Sequence, residues 1–506
     1  GVGYNAAGVV VPKLALGRRS IGVVAGARVA TPAYNSDRHF ALYYAISGMG
    51  AVCHTINPRL PLSQMKYIVE HAEDRVLFFD PGFEPLVAEL AAALPNPPRL
   101  IAMCDADAVP PSALQLGSYG ALLRGQPAVF DWPELSERAA AGLCYTSGTT
   151  GDPKGALYSH RSTVLHALVL CAGLPQTLRE GQRILPVVPL FHVNAWGLPY
   201  TAPLSGASLV MPGKHLDGES LFDLMDKERV TSAWGVPTVW LGLLSEIDRR
   251  GRIPDGFEDV VIGGSAAPAP MIDRFERLGV NVCHAWGMTE LSPVGTQANL
   301  PMRYQAAPHE KQVAKKARQG RRLFGVELKI VDEDGARLPH DGVAVGALHA
   351  RGNTVINGYY HDPDASQRAM DSEGWFGTGD IASIDPDGFL MIADRMKDVI
   401  KSGGEWISSI DLENATLAHP GVANCAVIAV PDDKWGERPL LVVVPTGTPP
   451  EKADILKVLG GSFAKWQLPD EVVFVDALPL TATGKVSKRM LRERFPAMPK
   501  SPSVSA

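Results

Sequence analysis

The sequence predicts an α/β protein. A large N-terminal domain of layered parallel sheets and helices carries a β-rich subdomain, and a small α+β domain follows it. Three observations predict this. From Arg28 to Asp80 the apolar pattern runs strand, helix, strand, helix, strand, the order that builds a parallel sheet covered by helices. At Tyr145–Gly155 the glycine-rich stretch YTSGTTGDPKG follows a short apolar run, Ala139–Cys144. Beyond Val399 the pattern changes to a compact α+β mix of about 100 residues, a normal domain size.

Length and composition bound the function. A chain of 506 residues exceeds one small core, so two or three domains are expected. Hydrophobic residues at 46% and charged residues at 20% fit a soluble globular protein. The net charge of −6 argues against a broad nucleic-acid surface. Cys53, Cys104, Cys144, Cys171, Cys283 and Cys425 are scattered with no CxxC pair, which suits a reducing cytoplasm and argues against a zinc site. No signal-peptide pattern opens the chain. Residues 184–213 hold no Lys, Arg, Asp or Glu, yet Pro186, Pro189, His192, Asn194, Gly197 and Pro199 interrupt the run. A buried strand-and-loop region is expected there, and no integral membrane segment.

Each element has its own signal. No structural expectation is placed before Gly26. ALYYAISGMGAVCHTIN reads as a helix ending at glycine and then a strand, and VLFFD as a short buried strand. His160–Ala172 reads as a helix, and Ile184–Pro189, Thr231–Val236 and Val260–Gly264 as strands. Gln319–Val331 and Ala347–Arg351 read as strands of the β-rich subdomain. Asp394–Lys401, DRMKDVIK, has five charged residues of eight and precedes SGGEW, so it reads as an exposed domain junction. Ser408–His419 is a helix with serine at its start. Cys425–Val430 and Leu440–Val444 are strands, Ala453–Phe463 a helix, Glu471–Val475 a strand and Lys488–Phe495 a basic helix.

The glycine-rich loop carries the first chemistry. Gly148, Gly151 and Gly155 lack β-carbons, so backbone N–H groups there can approach a bound group closely. With five hydroxyl side chains and Lys154 they make an anion cradle, most often used for polyphosphate. The spacing is not the Walker pattern: no Gly-Lys-Ser/Thr follows, and Pro153 stands where a helix would begin.

This loop resembles the signature loop of the adenylate-forming enzymes, which include acyl-CoA synthetases, luciferases and peptide-synthetase adenylation domains. VCHAWGMTE at 282–290, TGD ending at Asp380, DRMKDVIK at 394–401 and LPLTATGKVSK at 478–488 extend the resemblance over nearly the whole chain. ISGMGAVCHTINPRL, VLFFDPGF and DRMKDVIKSGGEWISSIDLENA look especially like the bacterial short- and medium-chain acyl-CoA synthetases, a branch that includes methylmercaptopropionate-CoA ligases. The family usually has more chain before VAGARVA (24–30) than this sequence provides.

The resemblance implies an N-terminal domain of 1–393, a hinge at 394–398 and a mobile lid of 399–506. It implies Lys485, Glu290 and His192 as catalytic residues. It assigns the nucleotide to Thr146, Ser147, Gly148, Thr149, Thr150, Gly151, Lys154, Ser265, Ala266, Ala267, Pro268, His284, Ala285, Trp286, Gly287, Met288, Thr289, Asp380, Ile392 and Arg395. Trp286, standing where the family has tyrosine, would stack on adenine, Asp380 and Arg395 would hold ribose, and Thr146 and Glu290 would take Mg²⁺. Val193, Trp196, Val236, Gly263 and Pro293 would line the acyl pocket, together with Gly235, Pro237, Met288, Leu291 and Val294. Lys397, Lys401, Gly403, Gly404 and Trp406 would serve the hinge and CoA.

The implied reaction adenylates a carboxylic acid with ATP and passes the acyl group to CoA. No aspartate stands among the pocket positions to pair an amino group, which speaks against amino-acid substrates. Trp196 would shorten the tunnel, pointing to a short- or medium-chain acid. CoA is the expected acceptor because no carrier domain follows within the sequence. Other acceptors (a carrier protein or, as in luciferases, oxygen) remain open, as does a non-catalytic binding relative. The expected partners are the acid, ATP and CoA, with a possible homodimer.

Overall fold

The computed structural model describes residues 4–146, 152–403, 405–481 and 484–498. Three sheets organise them. The first has seven strands: β1 (Arg28–Thr31), β2 (Val52–Thr55), β3 (Val76–Phe79), β4 (Arg99–Ala102), β5 (Gly117–Ser118), β6 (Ala140–Tyr145) and β7 (Gly155–Ser159). Their order is β5-β4-β3-β1-β2-β6-β7, parallel as far as β6, with β7 antiparallel to it. β3, VLFF, is buried at every position, as a strand covered on both faces must be. The β6–β7 connection is the glycine-rich loop. Of that loop, Ser147, Gly148, Thr149, Thr150 and Gly151 lie outside the described residues, as does Gly404.

The second sheet has eleven strands in the order β15-β16-β17-β18-β14-β13-β12-β11-β10-β8-β9. β8 (Arg183–Pro186), β9 (Ser208–Leu209), β10 (Ser232–Gly235), β11 (Asp259–Ile262) and β12 (Asn281–Gly287) run parallel. β13 (Val294–Gln297), β14 (Gly320–Arg322), β15 (Val326–Val331), β16 (Gly346–Gly352), β17 (Phe376–Ile384) and β18 (Phe389–Arg395) continue it antiparallel. The expected β-rich subdomain is therefore the antiparallel half of a mixed sheet, joined at β12. The single strand expected over 319–331 is two strands. Gly325 sits between them at φ +77°, in the left-handed region that glycine enters without strain.

The third sheet holds β19 (Ile400–Ser402), β20 (Glu405–Ile407), β21 (Val422–Asp432), β22 (Gly436–Pro445) and β23 (Glu471–Phe474). β23 pairs parallel to β22, and the other pairs are antiparallel. Helices Ser409–Thr416 and Lys488–Arg494 start where Ser408 and Ser487 accept hydrogen bonds from the backbone N–H three residues on. That contact satisfies a donor the helix itself cannot.

Three expectations change. Tyr4–Ile21 is a helix where none was anticipated, and its Leu14, Ala15 and Ile21 join the core that includes Leu42, Ala45 and Met49. The 184–213 region is more than strand and loop, for it holds the helix Leu198–Ser205. The junction 394–401 is only partly exposed: Asp394 is 1% exposed and Asp398, Val399 and Ile400 are buried, whereas Met396, Lys397 and Lys401 are exposed. Among the described residues no helix is long and apolar enough to cross a membrane.

Candidate active site

A cleft forms where the carboxyl ends of β10, β11 and β12 meet β17, β18 and the loop before the Lys488 helix. Strand register fixes its charged floor. Asp380 on β17 lies opposite Arg395 on β18, and Arg395 Nε is 2.7 Å from Asp380 Oδ1. Trp286, at the end of β12, donates its indole N–H to Asp380 Oδ2 at 2.9 Å. Burial pushes the Asp380 carboxyl up from its ordinary range, with Arg395 and Trp286 opposing. The Arg395 contact lacks hydrogen-bond alignment, so Oδ1 keeps an open acceptor in a buried place. Such an orphaned acceptor suits a hydroxyl donor. Trp286 is 8% exposed and its N–H aims Asp380, a task that the expectation of ring stacking did not include.

Lys485 enters this floor from the C-terminal side. Thr238 donates its hydroxyl to Gly484 O at 2.9 Å, which ties the residue before Lys485 to the large domain. Gly264 makes room for the lysine: a β-carbon there would stand 3.2 Å from Lys485 Cε and 3.1 Å from Val236 Cγ1. Burial lowers the Lys485 pKa to about 8, Arg395 and Lys397 push the same way, and Asp380 opposes them. His192 feels the same ammonium. Burial, then Lys485, holds its imidazole at about 3, so it is neutral at physiological pH.

Glu290 lies in the short turn after β12 and is 6% exposed. Burial raises its pKa; the Tyr359 hydroxyl and the charges of Arg395 and Lys154 oppose that. Tyr359 donates to Glu290 Oε1 at 2.8 Å. Lys154 Nζ stands 5.1 Å from the Tyr359 ring centroid. Thr146 N donates to Lys154 O at 2.9 Å, which closes the base of the glycine-rich loop. Among the described residues no group of three or more His, Cys, Asp or Glu gathers for a metal. One carboxylate and one hydroxyl, Glu290 and Thr146, are still a sufficient protein share for Mg²⁺, which takes few protein oxygens when it also binds phosphates.

The wall expected to face adenine is Gly263–Pro268 with β12. Ser265 is exposed and Ala266 and Pro268 are half-buried, whereas Ala267 is buried. His284, expected to face the nucleotide, is fully buried behind the wall. Its Nε2 accepts from Ala267 N at 3.2 Å and its Nδ1 lies 3.1 Å from Ala317 O. It holds the wall's backbone. Ala285 and Ile392 are buried, the latter in a cluster with Trp286 and Leu291, and Thr289 is 8% exposed. Gly287 cannot carry a side chain, since a β-carbon would overlap Pro293 O at 2.0 Å.

Val193–Gly197 makes a left-handed turn, with φ of +42°, +54°, +45°, +57° and +85°. Left-handed backbone costs about 1–2 kcal/mol for each residue with a β-carbon, so tertiary contacts must hold it. Tyr43 OH donates to Asn194 Oδ1 at 3.2 Å and to Leu190 O at 2.5 Å. The turn aims Trp196 at Gly263, where a β-carbon would sit 3.2 Å from the ring. Trp234 backs the ring at 6.5 Å between centroids. Val193, Trp196 and Pro293 are buried and Val236 half-buried.

Of the positions expected to serve CoA and the hinge, Lys397 acts on the Lys485 ammonium. Lys401, Gly403 and Trp406 belong to the β19–β20 hairpin, whose β20 is an edge strand. Lys401 is exposed, and Gly403, at φ +62°, donates its N–H to Trp435 O at 2.8 Å. Burial lowers the Lys397 pKa. Sequence reasoning missed Tyr359 and Thr238. The only hint of the former was an aromatic pair after glycine, NGYY.

This fold and this cleft define the adenylate-forming class. The chain belongs to the AMP-binding enzyme family: residues 4–360 match the model of the AMP-binding enzyme and residues 411–485 that of the AMP-binding enzyme C-terminal domain. It is 51% identical to a 3-methylmercaptopropionyl-CoA ligase of Ruegeria lacuscaerulensis, over 92% of this chain and 87% of that one. It is 48% identical to a medium-chain-fatty-acid–CoA ligase of Ectopseudomonas oleovorans, over 96% and 88%. Among solved structures it resembles the ATP-bound MatB of Rhodopseudomonas palustris, with a TM-score of 0.83 and 27% identity over 97% and 93% of the two chains. It also resembles the anthranilate CoA ligase AuaEII in complex with anthranoyl-AMP, at 0.86 and 25% over 97% and 92%.

Proposed function

We propose that the chain is an ATP-dependent acid–thiol ligase for a short- or medium-chain carboxylic acid, a fatty acid or a 3-methylmercaptopropionate-like thioether acid, with the residues above in the following roles. A carboxylate oxygen attacks the α-phosphorus of ATP and the bond to pyrophosphate breaks, leaving acyl-AMP. The CoA sulfur then attacks the acyl carbon, the bond to AMP breaks, and the thiol proton goes to solvent. The observation that carries this reading is Lys485, an ammonium set against Gly264 and within electrostatic reach of His192 and the Asp380–Arg395 pair.

The roles follow from charge. Two anions must meet in the first step, and Lys485 is the cation placed between them, which is electrostatic stabilisation by a preorganised group. Lys154 and the loop hold the β- and γ-phosphates. Mg²⁺, held by Glu290 and Thr146, would neutralise charge on the phosphates. Asp380 and Arg395 orient the ribose. His192, neutral, walls the acid from the nucleotide. Trp196 ends the acyl pocket over Gly263. Names of relatives such as the methylmercaptopropionyl and medium-chain ligases support that chain length. The lid of 399–506 would turn at 394–398, bringing the hairpin with Lys401 and Gly403 to the pantetheine arm. A cytoplasmic enzyme is the consistent setting, because all six cysteines are unpaired.

The test is AMP formation from ATP and Mg²⁺ with straight-chain, branched, aryl and thioether acids, with and without CoA, beside Lys485→Ala. Acid-dependent AMP that rises with CoA, peaks at short or medium chains and collapses in the variant is the expected result. AMP formation without CoA stimulation would overturn the acceptor, and unchanged Lys485→Ala would overturn the mechanism.

A further inference from the structure

Glu290 and Lys154 are opposite in charge type at the phosphate end of the cleft, and the Lys154 ammonium is among the groups that oppose the burial-driven rise of the Glu290 carboxyl. Left alone, such a pair would close into an ion pair and spend both charges on each other. Among the described residues they do not pair. Tyr359 stands between them: its hydroxyl donates to Glu290 Oε1 at 2.8 Å, and its ring lies under Lys154 Nζ at 5.1 Å from the centroid. We propose that Tyr359 is the positioning residue for the polyphosphate end of the cleft, holding the carboxylate and the ammonium apart and aimed outward. This rests on the roles given above to Glu290 and Lys154.

The backbone supports that task from both sides. Ile356 N donates to Glu290 O at 2.9 Å, and Tyr360 N donates to Gly155 O at 2.8 Å. Tyr359 itself makes an antiparallel bridge with Ala156, and its N–H donates to Ser366 Oγ at 2.8 Å. One short segment thus grips the turn that carries Glu290 and the strand that ends the glycine-rich loop. Gly155 is packed without slack, since a β-carbon would meet Leu143 Cδ1 at 3.1 Å and both Tyr145 Cζ and Tyr360 Cβ at 3.2 Å. With Oε1 occupied by the phenol, Glu290 keeps Oε2 for a hard cation. With its ammonium over a π face, Lys154 keeps its N–H donors for phosphate oxygens.

The two halves of the side chain separate by substitution. Tyr359→Phe keeps the ring and removes the hydroxyl, while Tyr359→Leu removes both. ATP binding by calorimetry without metal reads the Lys154 side, and Mn²⁺ binding to the enzyme–ATP complex by electron paramagnetic resonance reads the Glu290 side. For Tyr359→Phe we expect metal-free ATP affinity within twofold of the parent and Mn²⁺ affinity weakened about ten- to a hundredfold, the scale of a lost hydrogen bond to a charged group. Tyr359→Leu should in addition weaken metal-free ATP binding about two- to fivefold, the scale of an exposed cation–π contact. Parental Mn²⁺ binding in Tyr359→Phe overturns the proposal, and so does equal loss of both affinities in that variant, which would mark a purely structural role. Should Tyr359→Leu fail to fold, Tyr359→Phe decides alone. Glu290→Gln runs beside them: parental Mn²⁺ binding there would overturn the metal role of Glu290 itself, and a loss there with none in Tyr359→Phe would overturn only the part played by Tyr359.

Discussion

The pKa of Lys485 makes the first half-reaction sensitive to pH in a way that can be worked out beforehand. Burial brings the ammonium from its ordinary 10.5 to about 8. A group at 8 is about nine-tenths charged at pH 7 and about one-tenth charged at pH 9, by the usual titration relation. If the charge bridges carboxylate and α-phosphate, kcat/KM for acid-dependent ATP–pyrophosphate exchange, measured without CoA, should fall about tenfold between those pH values. The limb in kcat should lie higher, because bound carboxylate and phosphate favour the ammonium and kcat reports the loaded enzyme. Unfolding does not imitate this. A cation with a depressed pKa costs folded stability at low pH, and the cost fades as pH rises through 8 toward 10.5. Lys485→Arg, always charged, should lose rate and lose the limb. A wild-type profile flat to pH 9.5, or the same limb in Lys485→Arg, would refute the reasoning.

Trp196→Ala should extend the acyl preference toward longer chains, read as the chain length of highest kcat/KM, because it removes the ring that rests on Gly263. Thr238→Val should slow pyrophosphate exchange about two- to tenfold, the scale of one neutral hydrogen bond, while leaving CoA transfer from supplied acyl-AMP unchanged. The hydroxyl donates to the docked Gly484 carbonyl. His54→Leu should destabilise the first sheet by about 3 kcal/mol in urea unfolding, since it strands a buried carboxylate. His54 Nδ1 lies 2.7 Å from Asp74 Oδ2, with both side chains 0% exposed. Adding Asp74→Asn should recover much of that loss.

Where local pattern and burial agree, the sequence was readable. β3 is a run of four buried apolar residues, and the helix His160–Gly173 starts at a capping box of Ser159 and Ser162. The failures have a common physical cause, which is contact between distant residues. Nothing local favours a left-handed turn through Val193, Asn194, Ala195 and Trp196; Tyr43, about 150 positions earlier, holds it. His284 resembles a site residue in its motif, yet its partners are backbone atoms at 267 and 317 behind the wall. The charged junction read as exposed, but Asp394 Oδ2 accepts from Ser409 N at 2.8 Å and from Ser409 Oγ at 2.6 Å, which covers its first residue. Tyr359 reaches Glu290 across 69 positions, and no motif spans that interval.

The Thr238 hydroxyl on Gly484 ties the Lys485 loop to the large domain, and burial works against the charge of the lysine that the loop delivers. By linkage, whatever anions favour the ammonium in the cleft must favour the docked loop by the same free energy. ATP and a carboxylate together supply that bias. Adenylation then removes it: the acid's charge disappears into the acyl-phosphate bond, and pyrophosphate leaves with its own. On the proposed roles, the remaining adenylate, a mixed anhydride, would offer Lys485 a single phosphate charge, so the balance would return toward the undocked loop when the acyl group is ready for the thiol. A lysine of ordinary pKa, needing no anions to stay charged in place, would give the enzyme no such signal.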